Sequence, residues 1–149
     1  MQLLREGHLD IDAMLRKPLF AHLATYAPEG PRDSPVWFLY EDDAFWIICN
    51  RDVDVFPARI AADPRCALGI VDFDPRTGRV HHVGVRGQGS VEPWDLERAK
   101  RKLRRYLGDD EGQWDRSVFS LDPAKRLAFV RIAVDTMVAR DQSFRASLR

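Results

Sequence analysis

Between Phe20 and Cys49 the chain carries three runs rich in β-branched and aromatic residues, Phe20 to Tyr26, Pro31 to Tyr40 and Ala44 to Cys49, separated by Ala27-Pro-Glu-Gly30 and Glu41-Asp-Asp43. Runs of that composition, cut by Gly, Pro and acidic residues, read as consecutive antiparallel strands and their turns. The expectation is a three-strand meander. Its second and third strands are apolar without alternation, Val36-Trp-Phe-Leu-Tyr40 and Phe45-Trp-Ile-Ile-Cys49. A strand with one face in water alternates, so both faces of these strands need cover. The domain's own core covers one face; a second subunit or a bound ring system covers the other.

A chain of 149 residues reads as a single domain, 1–149, with room for a hydrophobic core. Its 23 basic and 23 acidic side chains balance, which leaves no global field to draw it to nucleic acid or to an anionic membrane. The first residues, Met1-Gln-Leu-Leu-Arg-Glu-Gly-His8, interrupt any signal-peptide pattern with charge, and no apolar run is long enough to span a bilayer. The expected compartment is the cytoplasm. Cys49 and Cys66 both lie within apolar strand patterns and suit a reducing compartment, as buried thiols rather than a disulfide.

Asp10 to Lys17 predicts a short helix, capped by Asp10 and stopped by Pro18. Phe56 to Ala62 predicts a second, with Pro57 in its first turn. Strands follow at Cys66 to Phe73 and Val80 to Glu92, and Gly84, Gly87 and Gly89 in the latter imply a bulge, a barrel corner or the close approach of a ligand. Pro93 to Leu107 is the clearest helix, with Leu96, Ala99, Leu103, Tyr106 and Leu107 on one face and Arg98, Lys100, Arg101, Lys102, Arg104 and Arg105 on the solvated one. A short segment from Trp114 to Leu121 leads to a last strand, Leu127 to about Ala139. This order fits a mainly β fold with a few helices, a closed or partly closed antiparallel barrel whose curvature hides strand edges.

Motifs for nucleophilic or metal catalysis are absent: there is no nucleophile elbow, Walker loop, paired-Cys motif or zincin helix. Gly87-Gln-Gly89-Ser-Val-Glu92 lacks the third glycine of a dinucleotide fingerprint and opens no helix. His81 and His82 are adjacent in a strand and point to opposite faces, so they share no metal; one of them faces inward. The basic helix face, beside the acidic Asp109-Asp-Glu111, reads as solvated surface rather than a nucleic-acid site.

Five phrases, Phe20-Ala-His-Leu-Ala-Thr25, Ser34-Pro-Val-Trp-Phe38, Phe45-Trp-Ile-Ile48, Ile60-Ala-Ala-Asp-Pro-Arg-Cys-Ala-Leu68 and Val83-Gly-Val-Arg-Gly87, occur in an order that resembles the pyridoxamine 5'-phosphate oxidase-like family of FMN-binding split barrels. The resemblance implies an antiparallel split β-barrel and a homodimer with flavin sites at the subunit interface. It further implies that Ser34, Pro35, Val36, Trp37 and Phe38 lie along the flavin ring and ribityl chain. Cys49, Asn50, Arg51 and Arg59 then hold the phosphate, and His82 is the inward, ring-facing histidine. Where many members carry a phosphate-binding Lys, this chain has Phe56-Pro57, which brings FAD or the deazaflavin F420 into consideration beside FMN. Asp141-Gln-Ser-Phe-Arg145 is not the pyridoxal-phosphate signature, so pyridoxamine phosphate is not the expected substrate.

The expected function is therefore a flavin-dependent oxidoreductase exchanging a hydride between the ring's N5 and a small molecule. The cofactor carries the chemistry, with backbone N–H groups of Val36 to Phe38 stabilising charge on the ring. The alternatives are a non-catalytic module that holds flavin or haem, an F420-dependent reductase, and a purely structural dimer.

Overall fold

The computed structural model describes residues 1–116, 121–122 and 124–147. The described residues form eight strands, three α-helices and a 3-10 turn at Glu111–Gln113: β1 Gln2–Glu6, α1 Ile11–Leu15, β2 Ala21–Ala27, β3 Gly30–Val36, β4 Leu39–Glu41, β5 Ala44–Asn50, α2 Phe56–Ala62, β6 Arg65–Asp74, β7 Arg79–Glu92, α3 Leu96–Leu107 and β8 Leu127–Asp141. They form one sheet in the order β3-β2-β6-β7-β8-β5-β4, with β1 parallel to the far half of β8. β8 is long enough to serve two neighbours on one edge, β5 along residues 127–133 and β1 along residues 136–140.

The predicted meander does not form. β3 pairs with β2, whereas β5 pairs with β8 and β4. What reads as one strand from Pro31 to Tyr40 breaks at Trp37 and Phe38, and its two halves become opposite edges of the sheet. No ladder joins β3 to β4 among the described residues, so the curled sheet stays open along this seam. The result is an antiparallel split barrel. The β4–β5 hairpin turns on Asp42 and Asp43, both with positive φ (55° and 54°), as the tight primed turns require of their two central residues.

A core drawn from both halves of the chain fills the barrel, including Leu23, Phe38, Phe45, Ile47, Leu68, Ile70, Val83, Val130 and Ile132. The opposite face of β4 and β5 is apolar for a different reason than expected. Leu39, Ala44 and Trp46 pack with Phe129 and with Ala99 of α3, and the Arg98 guanidinium lies 3.6 Å from the centre of the Trp46 ring. The chain's own helix covers that face around Trp46, while Ile48, further along it, is left partly exposed.

Two of the three glycines of β7, Gly87 and Gly89, answer to packing. The β7–β8 register shifts between Arg86 and Gly87, and a Cβ on Gly87 would stand 2.3 Å from the Ala133 carbonyl oxygen, so only glycine fits the bulge. At Gly89 a Cβ would meet the Ile60 side chain of α2 at 2.8 Å. β1 has no counterpart in the sequence reading, because Gln-Leu-Leu-Arg-Glu offers neither alternation nor β-branched residues. In the segment expected from Trp114 to Leu121, Trp114 is buried and donates from Nε1 to the Gly108 carbonyl at 2.9 Å; residues 117–120 of it lie outside the described residues.

Asp72 on β6 is buried and accepts from Lys17 Nζ at 2.6 Å and from Arg79 Nε at 3.1 Å, tying the exit of α1 to the β6–β7 turn. Burial by itself would raise its carboxyl; the Lys17 and Arg79 hydrogen bonds outweigh that and hold it below the ordinary value. A depressed folded-state value stabilises the fold above the unfolded-state value and is lost as pH falls through the folded one. Asp72→Asn should therefore cost about 1–3 kcal/mol at pH 7, the partner cations being half-exposed and screened. The difference from wild type, read from denaturant melts, should shrink progressively as pH falls below about 4.

Candidate functional site

The seam opens into a cleft of about 650 Å³, bounded by β3, the middle of β5, the loop before α2, α2 itself and α3. Its floor is apolar, built from Val36, Trp37, Ile47, Ile48 and Leu103, and the exposed side chains of Phe20, Val53 and Val55 stand at its rim. β3 is an edge strand, so one side of its peptide groups has no neighbouring strand.

Of the sequence-predicted site residues, Ser34, Pro35, Val36, Trp37 and Arg59 meet in this cleft. Phe38 does not. Its ring is fully buried in the barrel core, its N–H donates to Tyr106 Oη at 3.1 Å, and its carbonyl accepts from Arg105 and Tyr106. Its amide is thus already engaged, which leaves Ser34 to Trp37 as the stretch that borders the cleft. Cys49 is buried in the core, and burial pushes its thiol up to about 11, out of reach of ionisation near neutrality. Asn50 shapes the turn after β5: its N–H donates to Asp54 Oδ2 at 2.7 Å and its Oδ1 accepts from the Asp52 N–H at 3.0 Å. Arg51 borders a different recess, with Glu92, Trp94 and Arg126.

His82 also lies elsewhere. Strand alternation places His81 on the side of buried Val83 and Val85, with its Nε2 3.6 Å from Asp141, and turns His82 to the outer face beside Gly84 and Arg86. The inward histidine is His81, contrary to the expectation for His82. Beside His82 on that outer face, its cross-strand partner Val71 and nearby Phe73 are exposed.

Lys102 is the cleft residue that the sequence pattern concealed. The buried stripe of α3 is Ala99, Lys102 and Leu103, while Leu96, expected inside, is exposed. The helix is rotated so that Lys102 leaves the basic face and lines the cleft with only 4% of its surface exposed. Burial, and then the nearby Arg105 charge, lower its ammonium to about 7. The remaining basic residues of α3 are engaged: Arg98 and Arg101 with Glu41, Lys100 and Arg104 with Glu111. A run of five cations between Arg98 and Arg105 other than Lys102 is thereby bound to carboxylates and, through Arg105, to main-chain carbonyls.

Arg105 and Tyr106 hold the cleft wall in place. Arg105 donates to the carbonyls of Leu15, Arg16, Lys17 and Phe38; Tyr106 Oη donates to Leu19 O at 2.7 Å, and its ring stacks on Trp37 at 4.4 Å. These two residues connect the end of α1 to the point where the chain crosses the seam.

The family model for pyridoxamine 5'-phosphate oxidase matches residues 10–138, from the cap of α1 to near the end of β8. The chain belongs to the pyridoxamine 5'-phosphate oxidase family. Solved structures share the fold at low sequence identity. An F420 reductase aligns with a TM-score of 0.65 at 21% identity, covering 88% of this chain and 98% of that one. An FAD-binding protein from Mesorhizobium loti aligns at 0.64 and 15% identity, over 92% and 96%. The flavocytochrome Anf3 from Azotobacter vinelandii aligns at 0.62 and 14% identity, over 93% of this chain and 68% of that one. A sequence comparison with curated proteins finds no match. Within the pyridoxamine 5'-phosphate oxidase family, then, this chain presents an apolar cleft on an open strand edge, with Arg32, Arg59 and Lys102 as basic residues in its walls.

If the clamp sets the wall, Arg105→Lys should cost roughly 2–3 kcal/mol in denaturant unfolding, because one ammonium cannot span carbonyls from two segments. Tyr106→Phe should cost about 1 kcal/mol and change the near-UV circular dichroism of the stacked Trp37.

Proposed function

We propose that the cleft holds a flavin-type cofactor, FMN in first place with FAD and F420 as alternatives, and that the protein is a flavin-dependent oxidoreductase acting on a small molecule. The observation that carries this reading is the donor set of the cleft. Flat apolar walls from Trp37 and Ile48 suit a planar ring, the free edge of β3 suits the ring's polar rim, and Arg59 suits an anionic tail. Family membership and the flavin-type cofactors named for its structural relatives support it.

A bound flavin supplies hydride exchange; this chain's residues have only to bind, orient and shield it. Peptide groups of Ser34 to Trp37 fix the ring's position. Tyr106 stacking keeps the Trp37 indole from swinging into the cleft. The rim residues Phe20, Val53 and Val55 give an apolar border against which a substrate or a second subunit can exclude water. A homodimer is part of the proposal, and the exposed Val71 and Phe73 beside His82 offer an apolar patch for it. His82 then contributes at the interface, from the outer face, rather than from within its own barrel.

The test is a visible absorbance scan after incubation with FMN, FAD or F420 and removal of free ligand. Retained flavin bands that bleach with NADH or NADPH support an oxidoreductase; retained bands that resist both reductants support a binding module; a colourless protein overturns the cofactor reading. Arg59→Ala should weaken retention of a phosphate-bearing flavin roughly tenfold or more, whereas Arg51→Ala, which borders another recess, should leave it unchanged.

A further inference from the structure

A lysine with nine-tenths or more of its surface buried is costly to keep charged unless an anion faces it. Among the described residues Lys102 has neither a hydrogen-bond nor an ion-pair partner, although it lines the cleft between β3, α2 and α3. The groups around it are all accounted for. On its own helix stands Arg105, a like charge; on β5 stands Cys49, whose thiol is neutral near pH 7; across the cleft stands Arg59 of α2. The cleft also has Arg32 and Asp33 on β3 and Asp54 before α2, but Asp33 Oδ2 lies 3.0 Å from His22 Nδ1 and Asp54 accepts from the Asn50 N–H. Among the described residues no carboxylate forms an ion pair with Lys102. At the head of α2, moreover, the position where the resemblance leads one to expect a lysine holds Phe56, and Phe56 faces this same cleft.

We propose that Lys102 is an anion-binding residue of the cleft, whose ammonium meets a phosphate group of the bound ligand, and that ligand binding is coupled to uptake of a proton by its amine. The charge missing at Phe56 is provided from α3 instead. In the free protein near pH 8 the amine is mostly neutral, which removes the cost of a buried unpaired charge. An arriving phosphate favours the charged form, so one proton passes from solvent to Nζ and none is lost from the ligand, which is already dianionic at that pH. The proposal uses the cofactor reading only to select FMN as a probe; inorganic phosphate tests it without that reading.

The experiment is a pH titration of protein labelled with ¹³C at lysine Cε. The chain has four lysines, and the signal absent from Lys102→Met identifies the one in question. In the free protein it should titrate near 7. Saturating FMN or inorganic phosphate should raise that midpoint by one unit or more, and calorimetry of FMN binding at pH 8 in HEPES and in Tris should count close to one proton taken up. Lys102→Met should weaken FMN binding roughly 10- to 100-fold and leave riboflavin, which lacks the phosphate, nearly unaffected.

FMN bound with no change at Lys102 and no proton uptake overturns the proposal while the cofactor reading stands. A shift with inorganic phosphate and no binding of FMN upholds the proposal and rejects the flavin. Riboflavin moving the Lys102 signal as far as FMN does, with inorganic phosphate silent, overturns the phosphate assignment. Binding of neither probe overturns both.

Discussion

The architecture depends on a hydrogen-bonded clamp at the seam. The chain leaves one edge of the sheet at Val36 and joins the other at Leu39, so the two residues between them cross an open gap without a ladder to satisfy their peptide groups. Backbone groups buried without partners are costly, and here α3 supplies them: Tyr106 takes the Phe38 N–H, and Arg105 and Tyr106 give to its carbonyl. The same guanidinium gathers three carbonyls from the end of α1, residues about ninety positions away in sequence. Burial lowers the Arg105 guanidinium from its ordinary value, yet an arginine so perturbed is still charged at any physiological pH. A lysine here would be free to neutralise instead; an arginine is obliged to keep donating.

Most of the elements were legible because their periodicity is local. Phe56 to Ala62, with Pro57 in the first turn, matches α2 to the residue, and the strands at 66–73 and 80–92 fall within β6 and β7. The topology was less legible for a physical reason. From Val36 to Tyr40 the side chains remain apolar through the crossover, because Phe38 enters the barrel core while Leu39 enters the cluster under α3. Continuous hydrophobicity therefore looks like one strand buried on both faces. Two cores meet there, and no periodicity argument separates one strand between two cores from two strands with one core each.

The site was legible in part for the same reason. Ser34 to Trp37 and Arg59 sit on elements whose direction follows from strand alternation and helix spacing, and they converge on the cleft. His82 failed as an inward residue because alternation alone does not say which of two adjacent histidines faces the core; the buried Val83 and Val85 decide it. Lys102 was hidden by composition. In Arg98 to Arg105 a lysine among arginines reads as one more solvated charge, and only the rotation that brings Ala99 against Trp46 and Phe129 shows that position 102 shares the buried side. A residue at i+3 from a buried alanine, on a helix whose other cations all have carboxylate or carbonyl partners, is the signal that could have found it.

Two duties meet on α3. It bridges the seam through Arg105 and Tyr106, and it carries Lys102 into the cleft one turn earlier. A buried amine near neutrality weakens the docking of that helix whenever it is protonated without an anion, whereas an anionic ligand turns the same charge into an attraction. Ligand binding and the docking of α3 across the seam are therefore linked through one element, and by linkage whatever binds the docked state stabilises it, the more so the higher the ligand concentration. The open seam and the unpartnered lysine are then parts of one arrangement. The sheet leaves a gap where a ligand can lie along β3, and the helix that bridges the gap places a cation where an incoming phosphate can offset its burial.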